Sequence, residues 1–238
     1  MNNFQLEPIP HTGEQILTGK YQTPMAVSRT VIVRLNQQNR YLVYSPGEPL
    51  LQQAAELLGK DAEIVLVAPS SGHTLGIAPW LAAFPEARIV AATGTAEKLQ
   101  KNGITGATFL LPEALAEELP EHISMFLVPQ CKGGEIWLTV ALDGKTWWLV
   151  CDGLMNLTAL SDSFIKALLQ RIYGLRLGLW MTPIFVLNVI DKVAFKQWFN
   201  GWLNEQQQPV LIPCHGDVYG EPDLTQTLQA LVEKRLKS

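Results

Sequence analysis

The chain has 238 residues, 47% hydrophobic and 17% charged, with a formal net charge of −4. That length suits one large α/β domain better than two small ones. Lys and Arg are scattered apart from Lys234, Arg235 and Lys237, so no basic stripe exists to track phosphates and nucleic acid is not an expected partner.

In chain order, the first predicted element is a hairpin. Thr30–Leu35 alternates and is rich in β-branched residues, Gln37-Gln38-Asn39 turns it, and Tyr41–Tyr44 returns. Leu50–Leu58 has helical spacing and Gly59 closes it. Ile64–Ala68 is a short continuous apolar run, as expected of a strand buried on both faces. A polar loop, Pro69-Ser70-Ser71-Gly72-His73-Thr74, follows it. Then come a helix near Ile77–Ala83, a strand at Arg88–Ala92 and a helix at Ala96–Lys101.

The second half repeats the scheme. Ile123–Val128 reads as a strand, with the loop Pro129-Gln130-Cys131-Lys132-Gly133-Gly134 after it. Glu135–Leu142 and Thr146–Cys151 form a predicted hairpin through Asp143-Gly144, a strong turn signal. Asp152-Gly153 ends the second strand. A largely helical insertion is expected at about 161–205, then a last strand at Val210–Pro213 and a last helix at Leu224–Leu236. The run from Gly174 to Ile190 is almost wholly apolar, but it contains Arg176, Pro183 and Asn188 and is shorter than the ~20 residues a spanning helix needs. No membrane span is expected.

The start Met1-Asn2-Asn3-Phe4 has no charged-then-apolar pattern of a signal peptide, and an odd count of three cysteines does not make a disulfide framework. A cytoplasmic protein is the expectation.

Four polar loops follow buried strands, at 69–74, 129–134, 152–156 and 213–217. Loops in that position are where α/β folds place their chemistry. The last reads Pro213-Cys214-His215-Gly216-Asp217 and spends one of only four histidines on a strand end beside glycine. The alternative reading makes His215 a turn residue and helix cap.

Together these loops resemble the metallo-β-lactamase fold family over roughly residues 28–236. The resemblance implies an αββα sandwich of two mixed β-sheets flanked by helices, as one domain over residues 1–238. In that family the first loop carries His-x-His-x-Asp-His, the second a histidine, the third an aspartate that bridges two metal ions, and the last a histidine on the second ion. Asp152 and His215 match by residue type. The two leading histidine positions are Pro69 and Ser71, the aspartate position is His73, the next histidine is Thr74, and the middle histidine is Cys131. The first-metal site has lost its histidines.

The resemblance therefore implies a depleted site. His73, Asp152 and His215 would face the second-metal position, with Cys131 as a further candidate ligand. Two imidazoles and a carboxylate suit a single Zn or Fe ion, and three protein ligands leave a position open. A degenerate, non-hydrolytic protein binding a small-molecule ligand is one expectation. A single-metal hydrolase of a small ester, thioester or lactone, with Asp152 as catalytic ligand and water orienter, is the other. Against both stand plain roles: Asp152 as a turn cap, His73 as a helix cap, Cys131 as a buried filler. The apolar run 175–190 and the face Phe195, Trp198, Phe199, Trp202 together exceed what one sheet edge covers, so a homodimer is expected.

Overall fold

The computed structural model describes residues 5–23, 26–36, 38–160 and 176–237. Part of the predicted insertion, 161–175, lies outside the described residues.

Seven strands form the first sheet in chain order: β1 Glu7–Pro8, β2 Ile16–Gln22, β3 Val27–Asn36, β4 Arg40–Tyr44, β5 Glu63–Ala68, β6 Arg88–Ala91 and β7 Phe109–Leu110. Pairing is antiparallel through β4 and parallel from β4 to β7. The second sheet has the order β13-β10-β9-β8, built from β8 Ile123–Leu127, β9 Ile136–Leu142, β10 Lys145–Val150 and β13 Val210–Pro213. Here β13 runs parallel to β10 and the other pairs are antiparallel. Both sheets are mixed, as expected. The β9–β10 hairpin turns through Asp143 (φ 54°) and Gly144 (φ 71°), the paired left-handed residues of a type I′ turn.

The layers follow from side-chain alternation along the strands. Val65 and Val67 of β5 point between the sheets, where they meet Ile136, Leu138, Leu149 and Ile212. Ile64, Leu66 and Ala68 of the same strand point outward. Helices α1 (Leu51–Leu58), α2 (Ile77–Ala83) and α3 (Thr93–Lys101) cover that outer face through Ala54, Leu58, Ile77, Trp80 and Leu99. A short helix, α4 (Pro112–Ala116), leads toward β8. On the far side, α5 (Pro183–Asn188), α6 (Lys192–Glu205) and α7 (Leu224–Arg235) cover the second sheet. Trp147 packs between the sheets and its neighbour Trp148 under these helices. The result is an αββα sandwich.

Three differences from the sequence expectation stand out. The antiparallel edge β1–β2 has no clear alternation signal, because Gly19 interrupts it. A Cβ at Gly19 would meet Leu50 and the Gln5 carbonyl within 2.9 Å, so close packing dictates the glycine. The expected helical insertion is not wholly helical: Gly178–Met181 is a strand, β12, which pairs with β11 (Leu154–Leu157). Phe195 and Phe199 are fully buried within the single chain against Trp137, Trp148 and Phe185, which removes them as a reason to expect a partner. Among the described residues no helix is long and apolar enough to cross a membrane.

Candidate metal centre

Three of the four polar loops meet at the upper edge of the sandwich. The first loop folds back after β5. Ser70 Oγ accepts from the Gly72 amide at 3.1 Å, and the His73 amide donates to the Ser70 carbonyl at 3.1 Å. This turn carries His73 over the sheet edge. Lys98 of α3 ties the loop down through the Ser71 carbonyl.

Asp152 leaves the end of β10 with its backbone held on both sides. The flanking amides of Cys151 and Gly153 donate to Glu135 Oε1 at 3.2 and 3.1 Å. Thr182, the N-cap of α5, donates its hydroxyl to the Asp152 carbonyl at 2.8 Å. His215 leaves the end of β13. Buried Arg29 of β3 clamps that loop by donating to the carbonyls of Pro213 (3.1 Å) and Gly216 (2.7 Å).

These restraints bring three donor atoms together. His73 Nε2 lies 3.1 Å from His215 Nε2 and 3.3 Å from Asp152 Oδ1, and His215 Nε2 lies 3.4 Å from the same oxygen. Bonds of 2.0–2.1 Å in tetrahedral geometry separate neighbouring ligands by ~3.3–3.4 Å. The triangle has the size of one face of a metal tetrahedron.

The outer nitrogens decide what the inner ones offer. His215 Nδ1 lies 2.9 Å from the Val27 carbonyl, which can only accept, so Nδ1 carries the proton. A neutral His215 then points its Nε2 lone pair inward. His73 Nδ1 pairs with Ser45 Oγ at 2.8 Å. Such outer partners are what orient metal-binding imidazoles. Electron-rich atoms this close repel unless a proton or a cation lies among them, so the donor set fits a metal ion.

The charges respond accordingly. Burial pushes the Asp152 carboxyl up, but the His73 and His215 imidazoles outweigh it and hold the group well below the usual carboxylate range. Burial pulls His215 down, and the Asp152 carboxylate outweighs that and raises it. Behind them, burial pushes Glu135 up to about 8, with Asp152 adding to the effect.

Asp152 uses its two oxygens differently. Oδ1 faces the imidazoles, while Oδ2 accepts from Ser70 Oγ at 2.6 Å. The carboxylate remains 35% exposed, whereas the His73 and His215 side chains are 8% and 14% exposed, so solvent reaches the triad at Asp152. Two surface hollows, of about 420 and 390 Å³, lie at the β9–β10 turn and beside Trp198 and Trp202, and no triad residue lines either.

His73, Asp152 and His215 thus come together as expected from the sequence. Cys131 does not join them. Its backbone bridges to Val189, and Lys132 and Gln130 bond to Asn188 and Ile190, so the loop is clamped to the end of α5 and its thiol packs in the outer core. Gly216 has a role in the backbone. Its φ of +100° and its close approach serve the backbone, since a Cβ there would fall 1.8 Å from the Asn156 carbonyl oxygen. His73 does not cap α2, whose N-cap is Gly76 with no side-chain bond.

Ser70, Ser45, Thr182 and Glu135 were not legible as site residues. A loop serine carries no distinguishing pattern. A glutamate at the head of an apolar strand reads as solvent-facing, yet Glu135 is buried and also accepts from Trp137 Nε1 at 2.6 Å.

Comparison with solved structures gives the class of the fold. The chain is similar over 100% of both chains to TMB-1, with a TM-score of 0.64 and 12% identity. It is similar to the DIM-1 metallo-β-lactamase over 97% of both chains, with a TM-score of 0.61 and 15% identity. It also matches the Flv1 flavodiiron core from Synechocystis, over 98% of this chain and 60% of that one, with a TM-score of 0.62 and 11% identity. The protein has the metallo-β-lactamase fold, with a group of residues placed to hold a metal ion. No family model and no curated protein sequence matches the chain.

Proposed function

We propose that the protein holds a single Zn or Fe ion through His73, Asp152 and His215 and presents it to a small-molecule ligand, without the two-ion centre that the family resemblance implies. The triangle of Nε2, Nε2 and Oδ1, with edges of 3.1, 3.3 and 3.4 Å, carries this reading. Such an ion would supply Lewis acidity toward an oxygen of the ligand. The residues around it bind and orient: Ser45 and the Val27 carbonyl fix the two rings, and Ser70 fixes the carboxylate.

The engagement of Asp152 Oδ2 by Ser70 supports a one-ion centre. A second ion bridged by the carboxylate would need that oxygen. Pro69, Ser71 and Cys131 offer it no histidine, and Cys131 faces the outer core.

A single-metal hydrolase of a small ester, thioester or lactone is the second reading. The solvent-facing edge of Asp152 favours it, because a water could reach both the open position and the carboxylate. The three unpaired cysteines favour a reducing cytoplasm for either role.

Calorimetric titration of Zn²⁺ or Fe²⁺ into chelator-treated protein tests the proposal. One site per chain, with Fe²⁺ binding lost in His215→Ala, is expected. Absence of binding would overturn it. Turnover of an ester, thioester or lactone panel that chelator abolishes would select the hydrolase.

A further inference from the structure

Beneath the triad, on its buried side, lies a second convergence of donors that the functional reading does not use. Cys151 is the residue before Asp152, and Cys214 is the residue before His215. Strands β10 and β13 are parallel neighbours in the register Val150↔Pro213, and the Cys214 amide donates to the Val150 carbonyl at 2.9 Å. The next residue on each strand is therefore a cysteine, and the two side chains share one face. Both are at most 1% exposed, and both point into the core between the sheets. One imidazole nitrogen of His73 and the two Sγ atoms all lie within 4.8 Å of one another.

We propose that Cys151, Cys214 and His73 form a second, soft metal site, selective for thiophilic ions, behind the Asp152–His215 pair. A tetrahedral ion with two thiolates and one imidazole needs donor separations of ~3.4–3.8 Å, so the atoms close on it by small side-chain rotations. Two sulfurs and one nitrogen favour Zn²⁺, Cd²⁺ or Cu⁺, whereas the triad offers two nitrogens and a carboxylate oxygen. Ser70 Oγ lies 3.6 Å from Cys151 Sγ and also bonds Asp152, so it separates the two sites. His73 belongs to both donor sets, and an ion held by the thiols draws its imidazole away from Asp152 and His215.

The binding step balances as an exchange. Each thiol gives up one proton, the ion takes two S–M bonds and one N–M bond, and two protons leave to solvent.

Cadmium NMR on the unmodified protein is the first test, because the shift of bound Cd²⁺ reports how many thiolates ligate it. A shift in the two-thiolate range is expected. A shift typical of nitrogen and oxygen ligands alone would overturn the soft site and leave the one-ion triad standing. Cobalt substitution is the second test. The near-ultraviolet thiolate-to-cobalt band should be lost in Cys151→Ala and in Cys214→Ala, and kept in Asp152→Asn. Loss of the band in Asp152→Asn with retention in the cysteine variants would refute the assignment. If an alanine variant fails to fold, the cadmium measurement on the unmodified chain decides.

Discussion

Ser70 Oγ donates to Asp152 Oδ2 at 2.6 Å while Oδ1 of the same carboxylate faces two imidazoles. One short bond thus divides the carboxylate between a structural role and a binding role. Ser70→Ala removes the bond and frees the carboxylate to rotate. Metal affinity is expected to fall by about 10–100-fold, as for other outer partners of metal ligands. Stability should change little, because Asp152 is open to water. Titration calorimetry beside a thermal melt separates the two effects, and an unchanged affinity would refute the role.

Glu135 ties pH to stability. Its native-state value near 8 lies above the ordinary 4.5, so the native state binds its proton more tightly than the unfolded chain. The stabilisation is complete below pH 4.5 and is lost as pH rises through 8. Its loss has a slope of up to about 1.4 kcal/mol per pH unit for one proton. Glu135→Gln keeps the acceptor for Trp137, Cys151 and Gly153 and cannot ionise. Denaturation of metal-free protein between pH 5 and 8 should show the wild type losing stability relative to the variant. Parallel curves would exclude a protonated Glu135.

Gly216→Ala should be strongly destabilising. A φ of +100° is left-handed backbone, and the new Cβ would overlap the Asn156 carbonyl. The expected cost is at least ~2 kcal/mol, from strain plus the lost β-bridge. Urea denaturation measures it. A cost near zero would mean that the loop after β13 rearranges freely.

Phe199 separates core from interface. It is fully buried within the chain beside Trp137, Trp148 and Phe195. Phe199→Ala should cost about 3–5 kcal/mol in unfolding free energy and leave the mass in solution unchanged. Light scattering that showed a dimer falling to a monomer, with no loss of unfolding stability, would reverse the assignment.

Much of the sandwich could be read from the chain because its periods are clean. The continuous apolar run of β5, the β-branched residues of β3 and the Asp143-Gly144 turn all point to strands. His73, Asp152 and His215 were legible because they follow buried strands. The site's supports were not. Ser70 and Ser45 act through single hydroxyls, and Arg29 reaches across 184 residues to the Pro213 carbonyl. Cys131 misled because position along the chain says nothing of which way a loop faces. The pairing of Cys151 with Cys214 is not legible, because it depends on the parallel register of β10 and β13, which no local pattern encodes. Strand β12 was hidden in an apolar run whose length suggested helix.

The most direct measurement is the metal content of protein purified without chelator, in wild type and His73→Ala. One Zn or Fe per wild-type chain and none in the variant are expected. No ion in the wild type, or an ion retained after His73→Ala, would contradict a centre built on that imidazole.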